Sequence, residues 1–271
     1  MIGMVGSVDN AQYTSPPVRA AVFTVYIDPL KLDINLLTEL RSKWATQYPG
    51  FTQSSPQMRP SDLLPEVDLF SLPWPMPAVQ LANSSLSRTI AFQFDHFSLT
   101  WTFDSDGDGN QYPGYLSLAS ELNDRFAEFV DTVDEMSDDS VKVQGCQCHY
   151  TNVLDNIDGA AWLTDYLTRS TTTHLDNNHL DDAEHVGFRV HRVDDEDDVQ
   201  RRVWLQMTRR KAERSEVTIS VVAVPKSDSH QIPDDPNSAA QHLMDSAHRL
   251  ENKTFEASFS DAMKRDWRSQ Q

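Results

Sequence analysis

The stretch that most constrains the fold runs from His185 to Val224. Three segments, HVGFRVHRV, QRRVWLQM and EVTISVVAV, alternate apolar and polar residues and are joined through DDEDD and TRRKAERS. A period of two marks strands with one buried face, and connections this short return the chain beside itself. An antiparallel three-stranded meander follows, and its apolar face needs a cover. Two closing helices supply it. The first begins at Ser238 with a capping box to Gln241 and buries Ala240, Leu243, Met244, Ala247 and Leu250. The last carries Phe259, Ala262, Met263 and Trp267 at the same kind of spacing.

The N-terminal half reads as strand, helix, hairpin, helix, strand. Val18–Ile27 is apolar on both faces, as a central strand is. Asp33 caps a helix through Ile34, Leu37, Leu40 and Trp44, which Tyr48-Pro49-Gly50 ends. Six prolines between residues 51 and 80 exclude regular helix there and hold parts extended. The segment LPWPMP reads as a connector whose Trp74 and Met76 pack on the core, or as a polyproline II ligand. Arg88–Phe103 makes two strands turning near Asp95-His96. A helix after Tyr112-Pro113-Gly114 carries the stripe Tyr115, Ala119, Leu122, Phe126, Phe129 and Val133. A strand from Val141 to Leu154, a short apolar piece GAAWLTDYL and a polar loop over 168–184 complete the half. No βαβ rhythm appears, so the expected class is α+β, with a mixed or antiparallel sheet covered by helices. The expected units are a flexible 1–15, an α+β half over 16–167, the loop 168–184, and the meander with its helices over 185–271. The last unit is either a second small sheet or an extension of the first.

Charge narrows the partners. With 23 Lys and Arg against 41 Asp and Glu, the formal charge is −18, which repels duplex phosphates and makes nucleic acid an unfavoured partner. Cys146 and Cys148 sit two apart in a strand, too extended to bridge, and read as core residues in a reducing compartment. No run approaches the roughly 20 apolar residues that span a bilayer. The opening residues lack the basic and apolar regions of a signal peptide. A cytoplasmic protein with no membrane contact is expected.

No catalytic or cofactor motif is complete. Asp104, Asp106 and Asp108 with Gly109 match the start of a calcium loop, but Tyr115 stands where the bidentate Glu belongs. His174, His179 and His185 are interleaved with Asp176, Asp181 and Asp182, ligands that zinc uses, in a stretch with no rigid element and no standard spacing. Both read as solvated acidic loops, or as weak calcium or zinc sites; no other cofactor is implied. Arg209, Arg210, Lys211 and Arg214 crowd one turn, either as solvated charges or as a grip on a phosphate or an acidic protein surface. Arg201 and Arg202 lie beside Asp194–Asp198 and pair internally. His242 and His248 fall off the apolar stripe of their helix and read as surface residues.

Several pieces together resemble a sporadically distributed, functionally uncharacterised family of prokaryotic proteins. They are PPVRAAVFTVYI at Pro16–Ile27, Tyr48-Pro49, FSLTW at Phe97–Trp101, Tyr112-Pro113-Gly114-Tyr115, CHYTNVL at Cys148–Leu154, and AHRLENKTFEASF at Ala247–Phe259. The resemblance spans most of the chain and brings no catalytic residues with it. Its patchy distribution implies a defence-associated accessory, sensor or antitoxin-like component. The residues and the resemblance converge on a non-enzymatic protein–protein interaction module, a homodimer with a separate protein partner. The alternative is a metal-dependent hydrolase or nuclease built on the Asp and His clusters.

Overall fold

Nine strands pair, each antiparallel to its neighbours, into one sheet ordered β2-β3-β4-β5-β1-β6-β9-β8-β7. They are β1 (Val18–Ile27), β2 (Gly50–Ser54), β3 (Ala78–Ala82), β4 (Arg88–Gln93), β5 (His96–Thr102), β6 (Val143–Leu154), β7 (His185–Glu196), β8 (Val199–Arg210) and β9 (Ser215–Pro225). Among the described residues five helices complete the elements: α1 (Ile34–Trp44), α2 (Tyr115–Met136), α3 (Gly159–Ser170), α4 (Pro236–Ser258) and α5 (Asp261–Arg268). This is a computed structural model that describes residues 13, 16–60, 64, 78–105, 111–155, 158–170, 185–210, 214–227 and 231–268. Among them, no helix is long and apolar enough to cross a membrane.

The element order repeats. The first half runs β1-α1-β2-β3-β4-β5-α2 and the second β6-α3-β7-β8-β9-α4. In each half the opening strand returns to the sheet centre, beside the last strand of its own half. The two opening strands then pair along their length, with Phe23 opposite Cys148 and Val25 opposite Cys146. A pseudo-two-fold relation therefore passes between β1 and β6. The terminal strands form an extension of the first sheet, and the seam between halves lies at the α2–β6 connection.

All the helices that pack on the sheet cover one face. Cross-strand partners share a face, and the row Phe97, Val25, Cys146, Ala223, Arg201 runs across five strands on the covered side. Phe126 and Phe129 of α2 meet Phe97, Trp44 of α1 meets Phe92 and Phe97, and Cys146 Sγ lies 3.3 Å from the Ala240 carbonyl of α4. Trp162 of α3 packs on Phe188 and Phe259. Phe23, Val25, Ile27, Phe97, Trp101, Phe126 and Phe129 are at most 1% exposed, so this side holds the core.

The opposite face carries Val22, Thr24, Tyr26, Ser98, Thr100, Gln147, His149, Ser220 and Trp204, and no helix among the described residues covers it. Residues 55–60 and Leu64 cross one end of it. Gln57 and Gln93 exchange two hydrogen bonds of 2.8 Å, and Arg59 reaches Asp95 at 3.7 Å. Leu64 joins Tyr26, Trp204, Val222 and Val224 in a small apolar cluster. Gly145 makes room for this crossing, since a Cβ there would stand 3.1 Å from Leu64.

Several boundaries differ from the sequence expectation. Asp235 caps α4, accepting from the Ser238 N–H at 2.8 Å, with Pro236 in the first turn. Asp235 precedes the expected Ser238 start by three residues and offers the stronger cap next to a Pro. Phe259 ends α4 instead of belonging to α5. GAAWLTDYL is the body of helix α3. Strands β2 and β3 flank the Pro-rich stretch, which the composition had concealed. Trp74, Met76 and the LPWPMP segment lie outside the described residues.

Candidate functional site

A candidate site lies on the helical side, where the seam between the halves meets α2 and α4. Strand β1 contributes Val18, and the chain before it Tyr13 and Pro16. The start of α2 contributes Tyr112, Gly114 and Tyr115, β6 contributes Tyr150 and Asn152, and α4 contributes His248, Glu251 and Phe255. Together they enclose a cleft of about 470 Å³, within the range of small-molecule sites. Gly114 turns the chain into α2 with φ of 86°, a value that only glycine adopts without strain.

Each polar group here is held by packing. Tyr112 and Tyr150 share a hydroxyl–hydroxyl hydrogen bond of 2.9 Å. The Tyr115 hydroxyl donates to Asp245 at 2.6 Å, and Tyr13 donates to Glu256. His248 lies flat on the Tyr115 ring, 3.6 Å between centroids and 9° between planes. Asn152 is fully buried and donates through Nδ2 to the Val217 carbonyl at 3.1 Å.

Glu251 is the exceptional residue. It is 5% exposed, and burial pushes its carboxyl pKa up to about 8. His248 Nδ1 stands 3.7 Å from its carboxyl. Burial, with a contribution from Arg249, drives His248 down to about 4. Near neutral pH the cleft therefore holds a protonated carboxyl beside a neutral imidazole. Burial also raises the tyrosines Tyr112, Tyr115 and Tyr150 well beyond their ordinary range, so they remain phenols.

The residues singled out from sequence fall elsewhere. Asp104 is half-buried just after β5, whereas Asp106 and Asp108 lie outside the described residues. His174 and His179 also lie outside them, and His185 is exposed at the head of β7. Among the described residues no three His, Cys, Asp or Glu side chains converge as metal ligands would. In the basic turn, Arg209 pairs with Asp158 at 3.3 Å and Arg214 with Asp155 at 3.0 Å, which also binds Arg19 at 2.7 Å. Only the backbone of Arg210 is described, and Lys211 lies outside the described residues. Arg201 pairs internally as its neighbours suggest, held by both Asp194 and Glu196 under α4. Cys146 and Cys148 are free, buried core thiols.

His248 corrects the surface reading. It lies off the stripe of Ala240, Leu243 and Leu250, yet α2 crosses α4 there and covers it with Tyr115. The missed signal was a second stripe on the same helix, His248, Glu251 and Phe255, at helical spacing. Segments far apart in the sequence, around Pro16–Val18, Tyr112–Tyr115, Tyr150–Asn152 and His248–Phe255, meet at this one cleft. No protein-family model matches the chain, and no curated protein matches it.

Proposed function

We propose that this protein is a non-enzymatic interaction module of the accessory or sensor kind, which takes a small ligand into the Glu251 cleft. One observation carries the reading: a buried, strained carboxyl lies in an aromatic cleft assembled from both halves of the repeat. Keeping such a group costs stability, and a bound ligand that completes its hydrogen bonds would recover the cost. A ligand gripped by β1, β6, α2 and α4 together would also tie the two halves to one another, as a sensor needs. The protein partner then meets another surface. The Arg209–Arg214 turn adds less to such a surface than its charge suggests, because Asp158 and Asp155 neutralise two of its arginines.

Ligand-observed NMR of the full chain against a library of metabolite-sized compounds tests this. The control is Val18→Phe, which fills the cleft from β1. Compounds that bind the parent and lose binding to the filled variant support the reading. A library in which no compound distinguishes the two proteins refutes it.

A further inference from the structure

The chemistry of the cleft selects its ligand. Among the described residues its lining contains one acid and neither Lys nor Arg. Two buried atoms of residues that line the cleft, Asn152 Oδ1 and His248 Nδ1, have no hydrogen-bond partner among the described residues. Asn152 Oδ1 is an acceptor by constitution, since the amide nitrogen is engaged with Val217. The His248 ring nitrogen can accept in the neutral imidazole. The Glu251 carboxyl, 3.7 Å from that nitrogen, is a third acceptor once ionised.

Around these acceptors stand the rings of Tyr13, Tyr112, Tyr115, Tyr150 and Phe255. The other charged groups nearby face away or are engaged: Asp245 accepts from Tyr115, Glu256 accepts from Tyr13, and Arg249 pairs with Glu196 at 3.2 Å. Cys148 lies behind the cleft in β6, fully buried. An anion would meet an acid and no cation. A donor-rich cation would meet three acceptors and several ring faces, which attract positive charge.

We propose that the cleft binds a primary ammonium group, with Glu251, Asn152 and His248 as acceptors of its three N–H donors and the tyrosine and Phe255 rings around its carbon body. This deepens the ligand-binding reading above and rests on it. The ligand class is a small organic amine. Binding converts Glu251 from its protonated to its ionised form, because the charged pair satisfies what the empty cleft leaves desolvated. Proton release follows as a linked event.

Isothermal titration of the full chain with n-butylammonium and benzylammonium, against 1-butanol and benzyl alcohol as neutral counterparts, tests the proposal. At pH 7 in buffers of different ionisation enthalpy, amine binding should release close to one proton. Amine affinity should rise about tenfold per pH unit up to about pH 8, where Glu251 is ionised before the ligand arrives. Glu251→Gln should lower amine affinity at least tenfold and abolish the proton release. The parent's own pH profile and proton count stand even if that variant fails to fold. Alcohols that bind as tightly as amines, or amine affinity that falls as pH rises, overturn the ammonium assignment and leave the cleft a site for neutral ligands. If no probe binds the parent better than Val18→Phe, the assignment falls. A library screen that is blank as well removes the ligand-binding reading with it.

Discussion

Glu251 makes the stability of the empty protein depend on pH in a direction opposite to that of most carboxylates. Its folded pKa is raised, from 4.5 to about 8, by burial. Between those values the folded state holds a proton that the unfolded state has released, so stability is greatest below the unfolded pKa and declines as pH rises through the folded one. The slope is about 1.4 kcal/mol per pH unit, which makes the decline about 3 kcal/mol by pH 7. His248 works against it at lower pH. Its folded pKa falls from 6.5 to about 4, so its contribution is present above 6.5 and is lost as pH falls toward 4. From about pH 4.5 to 6.5 the two slopes oppose one another. From 6.5 to 8 Glu251 acts alone and should remove about 2 kcal/mol. Urea denaturation followed by tryptophan fluorescence, at half-unit steps from pH 5 to 8.5, measures this for the parent and for Glu251→Gln. The variant should gain on the parent steadily from pH 5 upward, and its own curve should expose the combined loss from His248 and His149 below pH 6.5. Parallel curves for the two proteins would mean that Glu251 is solvated and that the cleft holds no strained acid.

Three further outcomes check the packing. Phe126 is fully buried against Phe97 and Phe129, so Phe126→Ala should cost about 3–5 kcal/mol and lower the thermal midpoint; an unchanged midpoint would place it on the wrong face. Burial raises both thiols, so Cys146 and Cys148 should resist iodoacetamide at pH 8 until denaturant opens the sheet; labelling in the native protein would contradict the register of β6. Arg201 is buried between Asp194, Glu196 and the Ser246 carbonyl, and Arg201→Ala should cost about 1–3 kcal/mol, because Asp194 loses its cation while Glu196 keeps Arg249. A Tm within a degree or two of the parent's would show that solvent already screens the cluster.

Much of the sheet was legible because its strands obey a simple period. VRAAVFTVYI, FSLTW and the segments from His185 onward each put apolar residues on the covered face, and a one-residue slip would expose them all. Strands β2 and β3 were not legible. GFTQS and AVQLA are five residues each, too short for alternation to stand out beside six prolines. The internal repeat was invisible as well, since it lives in the order of elements and in the pairing of β1 with β6, not in matching residues. The site was hidden for the same reason. Tyr112, Tyr150 and Glu251 are separated by tens of residues, and no local motif announces a carboxyl whose character comes from burial. The basic cluster that local reading singles out is paired with acids where it is described. Arg209 and Arg214 show why, because opposite charges from the chain before α3 reach them.

The expectation of a homodimer sharpens into a choice of edge. Among the described residues only β2 and β7 have an unpaired side in the sheet. Strand β7 is twelve residues long and carries Arg189, His191, Arg192, Asp194, Asp195 and Glu196. Antiparallel pairing of two such edges would set these charges against their counterparts in the other copy and desolvate them, which is how natural sheets prevent edge association. Strand β2, GFTQS, has no charge, and its Phe51 is half-buried under Arg41 at 4.3 Å. Two copies meeting along β2 would extend the sheet across a symmetry axis, each strand supplying the other's backbone partners. Five residues give few hydrogen bonds, so the dimer should be weak, with a dissociation constant in the micromolar range or above. Sedimentation velocity over a hundredfold range of protein concentration measures it. Thr52→Pro, which removes a backbone donor at the centre of β2, should shift the population to monomer with the fold intact by circular dichroism. A dimer that survives Thr52→Pro unchanged would place the interface elsewhere, and a parent that stays monomeric throughout would show that both edges are protected.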